Sequence, residues 1–360
     1  MNSTPKDSAA KIVEIVAAMA KNTEAMDCAS LDRILDKTGC DKNILYRNIF
    51  RNSSVTVSFH PDRFSGNGKL IIDNLLADGE YKNQYESLTS NGGRTAYPGG
   101  DRDLWEKWLF RGYYHTKNLS FADRPKYGAL NIKNYRDGAS PRFGSCFFAL
   151  KPSALDRCTF TFGDSNSNPE ALGTAQHFWS VLNAMFTEIA QTGRFLDQEH
   201  VTVSEAARFL LELTPESTTI GGNLDYYIEA HVHGKLNLAS DVAAFYVDES
   251  FVSTEIGAKA VELGKRYDFD IHTIPERRIQ IADIDDEFRG PMMRPVAKKI
   301  NERVGGNCGF LNANLIGLGS CDSISNPDIW SELGTEPELF QYFKQLWHTT
   351  AYHAPVCKLH

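Results

Sequence analysis

Five short segments with the pattern of β-strands place the strongest limit on what this chain can fold into. Each is rich in β-branched or aromatic residues and is bounded by turn-forming residues. The segments are VTVSF within 53–59, YGALNI (127–132), GSCFFAL (144–150), RCTFTFG (157–163) and DYYIEAHVHG (225–234). Helical patterns interrupt them without a regular β–α–β alternation. The sequence therefore predicts an α+β fold.

Helical patterns occupy both ends of the chain and the intervals between the strands. Apolar residues from 12 to 19 predict a helix that begins near Ser8, and Ser30 predicts the start of a second helix that ends at Gly39. Further helices are predicted from Pro169 to Gly193, after the capping box at 202–205, and near 253–266, 293–304 and 335–349.

Composition and charge narrow the class of protein. With 360 residues, 42% of them hydrophobic, the chain is long enough to fold alone around a substantial core. Its apolar runs are much shorter than a membrane span, and its start lacks the layout of a secretory signal. The formal charge of −8 disfavours nucleic acid as a partner and favours a basic protein surface. The polar residues 1–10 are interpreted as a disordered leader, of a kind that also suits specialised secretion.

Several familiar motifs are absent from the sequence. The seven cysteines form no Cys-x-x-Cys pair, which argues against a structural zinc site and a disulfide framework and favours a reducing compartment. There is no Gly-x-Gly-x-x-Gly and no Walker loop, so neither a Rossmann site nor a P-loop is predicted.

The tripeptide HPD at 60–62 occurs in J-domain chaperone partners, where a loop between two helices carries it. Here residues 55–59 alternate between apolar and polar side chains, which is typical of a strand and not of a helix. The J-domain interpretation is therefore excluded. What remains is a strand that brings His60 and Arg63 to its rim, a common place for chemistry.

The segment DYYIEAHVHG carries the most reactive set of side chains. Alternation puts Tyr227, Glu229, His231 and His233 on one face and apolar residues on the other. This face is predicted to border a cleft, with a solvent-facing sheet surface as the alternative. The same residue types also ligate metals, but no further His or Asp cluster completes a ligand set. We therefore expect acid–base or electrostatic chemistry without a metal.

A second candidate lies in SPRFGSCFFAL. Gly144 permits close approach of another backbone, Ser145 offers a hydroxyl on a strand, and Arg142 offers a fork of donors suited to phosphate. Ser145 lacks the Gly-x-Ser-x-Gly elbow of a hydrolase, so a nucleophilic serine is poorly supported. A small residue that merely packs on the strand is the alternative. The long polar region 64–126 is a further candidate, for holding a partner, because loops of that length are usually functional or disordered.

Six segments, taken in order over roughly residues 50–295, resemble the bacterial DUF3626 family. They are VSFHPDR, YGALNI, SPRFGSCFFALKP, RCTFTFGDS, YIEAHVHG and FRGP. That family is similar to the ADP-ribosyltransferase superfamily. The resemblance implies a catalytic domain at 51–300 with a split β-sheet core, between an N-terminal helical segment (1–50) and a C-terminal helical segment (301–360).

The resemblance also implies an activity. It is to secreted bacterial effectors, delivered by type III secretion, that transfer ADP-ribose from NAD to a threonine hydroxyl of host ubiquitin and so block ubiquitin signalling. NAD is then a co-substrate, ubiquitin is the protein partner and the host cytosol is the place of action. Two alternatives stay open, namely an NAD glycohydrolase, in which water is the acceptor, and a non-catalytic protein-binding effector.

The Arg–Ser–Glu pattern of the superfamily maps onto particular residues here. The first element falls on FHPDR, where either His60 or Arg63 matches; the second falls on Ser145 and the third on Glu229. The sequence departs from the usual form by having Glu-x-His in place of Glu-x-Glu or Gln-x-Glu. Its first element is also not followed by Gly, which leaves the choice between His60 and Arg63 open.

Chemical roles follow from this mapping. Glu229 would stabilise the oxocarbenium-like charge that develops when the nicotinamide–ribose bond breaks. Ser145 would align the nicotinamide ribose, and Arg63 or Arg142 would hold the pyrophosphate.

Four further residues complete the implied site. Tyr127 or Phe143 would stack on a planar ring of NAD. His231 or His233 would accept the proton of the acceptor hydroxyl, because an unperturbed imidazole titrates near neutral pH.

Overall fold

The computed structural model describes residues 5–89, 94–116, 119–215 and 219–357. Twelve β-strands lie within these residues. They are β1 (Val55–Phe59), β2 (Glu80–Tyr81), β3 (Lys126–Leu130), β4 (Cys146–Leu150), β5 (Cys158–Phe162), β6 (Leu172–Thr174), β7 (Ile228–Val232), β8 (Leu236–Asn237), β9 (Val242–Asp248), β10 (Asp270–Ile274), β11 (Ile279–Gln280) and β12 (Phe310–Leu311).

Eight of these strands form a central sheet in the order β10-β9-β4-β1-β3-β7-β5-β6. Neighbouring strands are antiparallel except β9 and β10, which are parallel. Two small sheets pair β2 with β8 and β11 with β12. The fold is thus mixed α and β with a large, mostly antiparallel sheet, as predicted. All five predicted strands are confirmed, whereas β6, β9 and β10 were not predicted.

The central sheet opens between β1 and β3. Strand β1 pairs with β4 along 56–59, but it pairs with β3 only through Val55 and Thr56. Strand β3 keeps its pairing with β7 along 126–129. Beyond Thr56, therefore, β1 and β3 bond only to their outer neighbours. The sheet consists of two halves, β10-β9-β4-β1 and β3-β7-β5-β6, which a short stretch of pairing joins.

The described residues also contain thirteen α-helices. They are α1 (Pro5–Leu35), α2 (Lys42–Asn52), α3 (Ile71–Asp78), α4 (Gln84–Ser87), α5 (Asp101–Leu109), α6 (Trp179–Thr192), α7 (Val203–Leu211), α8 (Leu238–Asp241), α9 (Glu255–Tyr267), α10 (Met293–Arg303), α11 (Ala313–Ser325), α12 (Pro327–Trp330) and α13 (Glu336–His353). Helix α1 packs on α6 and α7, α3 packs on α9, and α10 and α13 both pack on α11.

The predicted start of a second helix at Ser30 is wrong. Helix α1 runs through this residue without a break to Leu35. Leu31 and Leu35 are buried in the main core, so tertiary packing stabilises the helix past a residue that often caps one. The prediction of a disordered leader at 1–10 is wrong from Pro5 onward, where the helix already begins, and residues 1–4 lie outside the described residues.

The later helices agree better with the prediction. The capping box of Thr202 and Glu205 starts α7, and helices α9 and α10 lie where they were predicted. Helix α6 begins at Trp179 rather than at Pro169, because the intervening 172–174 pair with β5 as a strand. Helix α13 extends four residues beyond the predicted end, to His353.

The region 64–126 is not one long loop. It contains α3, α4 and α5, and α5 begins inside the Gly-rich segment NGGRTAYPGGDRD (91–103). Asp101 and Asp103 occupy the first turn of α5, where the positive end of the helix dipole favours carboxylates. Residues 90–93 and 117–118 of this region lie outside the described residues.

The largest hydrophobic cluster draws residues from all three predicted segments, between Leu31 and Ala354. Phe59 lies within it, 4.8 Å from the ring of Phe148 and 5.5 Å from that of Phe245. The boundaries at 50 and 300 stay predictions. A second cluster joins α1 to α5 and the residues after it through Ile12, Val16, Leu109, Phe110 and Tyr114.

Three further findings concern the cysteines, membrane-spanning helices and metal-binding groups. All seven cysteines are free thiols. Across the described part of the chain, no helix combines the length and the apolar character needed to cross a membrane. Within the same residues, no group of three or more His, Cys, Asp or Glu side chains is arranged to hold a metal ion.

Asp248, at the end of β9, should make the stability of the fold depend on pH. Burial raises the pKa of its carboxyl group from 3.8 to about 7, although Ser250 donates two hydrogen bonds to it, at 2.9 and 2.6 Å. Between these pH values the folded state binds a proton that the unfolded state does not. The contribution of Asp248 to stability is therefore fully present below pH 3.8 and is lost as the pH rises through about 7.

We expect Asp248→Asn to remove this decline, since an amide oxygen can still accept from Ser250 but does not ionise. The free energy of unfolding, measured in urea at pH 5 and pH 8, should fall less in the variant than in the unmodified protein. The expected difference is on the order of 1–4 kcal/mol, because one pKa unit corresponds to about 1.4 kcal/mol. An unchanged decline in the variant would contradict the assignment to Asp248.

Candidate active site

A cavity of about 580 Å³ lies where β1 and β3 part. Ser58 from β1, Tyr127 and Gly128 from β3, and Glu229 from β7 line it together. The loss of pairing between β1 and β3 beyond Thr56 thus coincides with a space that can hold a ligand. Its volume falls within the range of about 300–1,000 Å³ that is usual for small-molecule sites.

Several elements outside the sheet form the walls of this cavity. They are α3, the segment 80–89 that contains β2 and α4, the first turns of α5, the turn at 140–143, the loop at 164–166 and Lys344 on α13. The walls therefore come from the region 64–126 and from the far C-terminal part of the chain. Elements distant in sequence build this site, and only the tertiary fold brings them together.

Glu229 is held at the cavity by one of its two carboxylate oxygens. Oε1 accepts hydrogen bonds from the backbone N–H of Ser165, at 3.2 Å, and from Nε2 of His231, at 2.8 Å. Oε2 has no hydrogen-bond partner in the described part of the chain, and the side chain is almost fully buried. The site thus presents a fixed carboxylate with one oxygen available to a ligand.

Behind Glu229 runs a buried chain of hydrogen bonds, here called the relay, which consists of His231, Thr159, His233 and Tyr114. The hydroxyl of Thr159 lies 3.0 Å from Nδ1 of His231 and 2.9 Å from Nε2 of His233. Nδ1 of His233 lies 2.5 Å from the hydroxyl of Tyr114. His231, Thr159 and His233 have no exposed surface, so water does not compete for these bonds.

The protons of the relay have one consistent arrangement when Glu229 is ionised and both imidazoles are neutral. His231 donates from Nε2 to the carboxylate, which can only accept, and Nδ1 then accepts from Thr159. Thr159 accepts in turn from Nε2 of His233, and Nδ1 of His233 accepts from Tyr114. Burial, followed by the positive charges nearby, holds the pKa of His233 well below its usual range, in agreement with a neutral ring.

Tyr127 presents an aromatic ring to the cavity. Its hydroxyl donates to Oε1 of the buried Glu106 at 3.0 Å, and the guanidinium of Arg102 lies 4.3 Å from the ring centroid. Burial acts to lower the pKa of Arg102, but the charges of the tyrosine and glutamate groups around it outweigh burial and raise it. Arg102 therefore stays a cation beside the aromatic ring.

Ser145 and His60 lie close together, but not at the cavity. The Ser145 hydroxyl lies 3.3 Å from Nδ1 of His60, and both residues are buried. The ring of His60 packs edge-on against Trp347, and burial, more than the charge of Arg63, lowers its pKa well below the usual range. Neither residue is among the described residues that line the cavity.

Gly144 supports the predicted close approach of another backbone. A Cβ atom at this position would lie 2.2 Å from the carbonyl carbon of Phe59, so a side chain would push β1 and the start of β4 apart. The glycine therefore sets the close packing that brings Ser145 beside His60.

Arg63 also lies away from the cavity lining. Its Nη1 pairs with the carboxylate of Asp62 at 3.3 Å, and both side chains are largely buried. A Cβ atom on Gly317 of α11 would come within 1.4 Å of that carboxylate, so this helix packs directly over the ion pair.

Of the residues predicted for the site, the structure brings five together. Glu229, Tyr127, Arg142 and Phe143 line the cavity, and His231 contacts Glu229 directly. The other four, Ser145, His60, Arg63 and His233, are buried or paired outside the lining.

Four residues of the candidate site were not predicted from the sequence, namely Arg102, Ser165, Lys344 and Thr159. The first three border the cavity, and Thr159 belongs to the relay. Thr159 had a detectable signal, because RCTFTFG alternates and places its threonines on one face of the strand. Lys344 had none, since nothing local to a helix indicates which distant strand its side chain approaches.

The sequence model of the family described as "Protein of unknown function (DUF3626)" matches residues 54–352. The chain belongs to this family. The predicted resemblance to DUF3626 is thereby confirmed, and its relation to the ADP-ribosyltransferases stays a prediction. The DUF3626 match includes all eight strands of the central sheet and every residue of the site described above. No curated protein matches this DUF3626 chain.

Proposed function

We propose that this protein is a mono-ADP-ribosyltransferase that transfers ADP-ribose from NAD to a threonine hydroxyl of ubiquitin. The observation that carries the proposal is the position of the Glu229 carboxylate. It lies in a cavity between the two halves of the sheet, and among the described residues Oε1 accepts hydrogen bonds while Oε2 accepts none. The sequence resemblance to the superfamily, with its split sheet and late-strand glutamate, supports the same activity.

The proposed reaction breaks the bond between C1′ of the ribose and the nicotinamide nitrogen, and the electron pair leaves with neutral nicotinamide. The ribose carbon becomes oxocarbenium-like, and the negative charge of Glu229 stabilises it. The hydroxyl oxygen of the acceptor then bonds to C1′, and the hydroxyl proton must be removed.

The hydrogen bonds of the two candidate histidines bear on the choice of proton acceptor. Both ring nitrogens of His231 and of His233 are hydrogen-bonded within the buried relay, so neither ring can take a proton directly from a substrate. The roles predicted for these two histidines are therefore replaced. We assign proton acceptance to Oε2 of Glu229, from which the proton passes to solvent after the product leaves.

The cavity offers groups for the rest of the nucleotide. Tyr127, with Arg102 beside its ring, and Phe143, whose ring meets Tyr227 edge-on at 5.8 Å, provide aromatic surfaces for stacking. Arg142 lines the same cavity and has the fork of donors that suits phosphate oxygens.

Helix α5 offers a surface for the protein acceptor. Leu104 and Trp108 lie four residues apart on this helix, and 57% and 43% of their surfaces are exposed. Other side chains of the same helix, those of Asp101, Arg102 and Trp105, line the cavity. An acceptor held on the exposed side of α5 would therefore lie near the reacting carbon.

Intact-mass measurement of ubiquitin incubated with NAD and the protein tests the proposal. We expect a gain of one ADP-ribosyl group that requires NAD, and fragmentation should locate it on a threonine. Release of nicotinamide without a mass gain would instead identify an NAD glycohydrolase. If NAD is not consumed, the enzymatic proposal fails and a binding protein remains.

A further inference from the structure

Three cations converge at the end of the cavity formed by the turn at 140–143 and α13. Arg142 and Lys344 line the cavity, and Arg289 approaches from the loop before α10. Nη1 of Arg142 lies 2.6 Å from Oδ1 of Asp225, and Nη2 of Arg289 lies 3.4 Å from Oδ2 of the same residue. One aspartate thus bridges the two arginines.

The positively charged groups of this cluster outnumber the carboxylates that pair with them. The ammonium of Lys344 has neither a hydrogen bond nor an ion pair within the described residues, although the side chain is half-buried. Nε of Arg289 is buried and also has no hydrogen-bond partner there. Besides Asp225, the nearest carboxylate is Asp164, 3.9 Å from Arg142, and it already accepts a hydrogen bond from Tyr227.

The charges of the two arginines act on the pKa values of Lys344 and His348. Burial lowers the pKa of Lys344, and the charges of Arg142 and Arg289 lower it further. The same three cations, after burial, hold the pKa of His348 well below its usual range. Holding like charges together in a half-buried position costs free energy, which a bound anion would offset.

A contact between distant elements and a fixed backbone conformation hold this cluster in position. Nε1 of Trp347 on α13 donates to the carbonyl oxygen of Pro141 at 2.7 Å, which ties this helix to the turn that carries Arg142. Arg289 adopts a backbone φ of 63°, a conformation that residues other than glycine rarely take. Such fixed geometry is typical of sites that bind a ligand.

We propose that Arg142, Arg289 and Lys344 form a binding site for a phosphate or pyrophosphate group. The carboxylate of Asp225, which lies between the two arginines, occupies part of the position that the bound anion would take. Guanidinium groups bind phosphate oxygens through paired hydrogen bonds, and the lysine adds a point charge. The identity of this group as the pyrophosphate of NAD rests on the proposed function. The proposal of an anion-binding site does not depend on that function.

Titration calorimetry with inorganic pyrophosphate tests the site without any reaction. We expect Lys344→Gln to weaken pyrophosphate binding about 10- to 100-fold, as removal of one charged hydrogen bond does. Asp225→Asn should strengthen binding several-fold, because a competing anion is removed. Lys82→Gln is the matched control: Lys82 borders the same cavity but is already paired with Asp78 at 2.6 Å, so binding should stay unchanged.

Thermal unfolding separates a binding effect from a folding effect. Lys344→Gln should melt at the same temperature as the unmodified protein or slightly higher, since it relieves repulsion. Absence of pyrophosphate binding to the unmodified protein, or equal binding to Lys344→Gln, would overturn the anion site even if NAD is consumed. Lysine-dependent pyrophosphate binding without nicotinamide release would uphold the site and refute the transferase.

Discussion

We expect Glu229→Gln to abolish the proposed release of nicotinamide from NAD, with a loss of at least about a hundredfold in kcat, while the protein still folds. This expected result follows from the position of the carboxylate. Glutamine keeps an oxygen that can accept a hydrogen bond from Ser165. It removes the negative charge that would stabilise the oxocarbenium-like transition state. Alanine would in addition leave the buried donors of Ser165 and His231 without a partner, so glutamine is the cleaner substitution.

Glu80→Gln is a matched control for the loss of a carboxylate at the cavity. Glu80 borders the same cavity, but its carboxylate pairs with Lys235 at 2.9 Å. We expect this variant to release nicotinamide at nearly the rate of the unmodified protein. Thermal unfolding of both variants should give similar midpoints. Near-normal activity of a folded Glu229→Gln variant would defeat the assignment of this carboxylate.

Thr159→Val should lower kcat for NAD cleavage about 10- to 100-fold and leave the KM for NAD nearly unchanged. Valine has the shape of threonine but removes the hydroxyl that connects His231 to His233. Without it His231 can rotate, and Glu229 loses one of the two donors that orient it. Misplacement of a reacting group by about 1 Å can cost a hundredfold in rate.

The cross-strand neighbour of Thr159 provides a control of equal burial. Thr174 on β6 pairs directly with Thr159 and is equally buried, but its hydroxyl accepts from the backbone of His177 and is not part of the relay. Thr174→Val should therefore reduce stability to a similar extent, about 1–3 kcal/mol, without changing kcat.

Two observations distinguish positioning through the relay from a merely structural role. In the unmodified protein, nitrogen NMR of the imidazoles should find His233 neutral and protonated at Nε2, and Thr159→Val should change the signals of His231. A uniform loss of activity in Thr159→Val and Thr174→Val, in proportion to lost stability, would mean that the relay does not position Glu229.

Local pattern was sufficient for the main parts of the sheet and for two residues of the candidate site, Glu229 and His231. The alternation in DYYIEAHVHG predicted β7 and put Glu229 and His231 on the same face, because a strand turns successive side chains to opposite sides regardless of its neighbours. Strands β9 and β10 were missed, and β6 was included in the predicted helix α6, because these short segments are defined by their partners in the sheet.

Four residues predicted for the site lie outside the described cavity lining, for a related reason. Residues at a strand end, such as Ser145 and Arg63, can point to a ligand or into the interior, and the choice depends on which element packs over them. Helix α11 covers the ion pair of Arg63, and Trp347 of α13 packs on the ring of His60. Neither contact has a signal near those residues in the sequence.

Periodicity and motifs are properties of neighbouring residues, so they were enough to predict the α+β class, most strands of the sheet, the DUF3626 family and the candidate carboxylate Glu229. Three features became apparent in the folded protein alone: the opening of the sheet between β1 and β3, the link that Thr159 makes between two histidines behind Glu229, and the position of Lys344 near Arg142 and Arg289. Those features depend on contacts between residues far apart in the chain, which form only when the whole core packs.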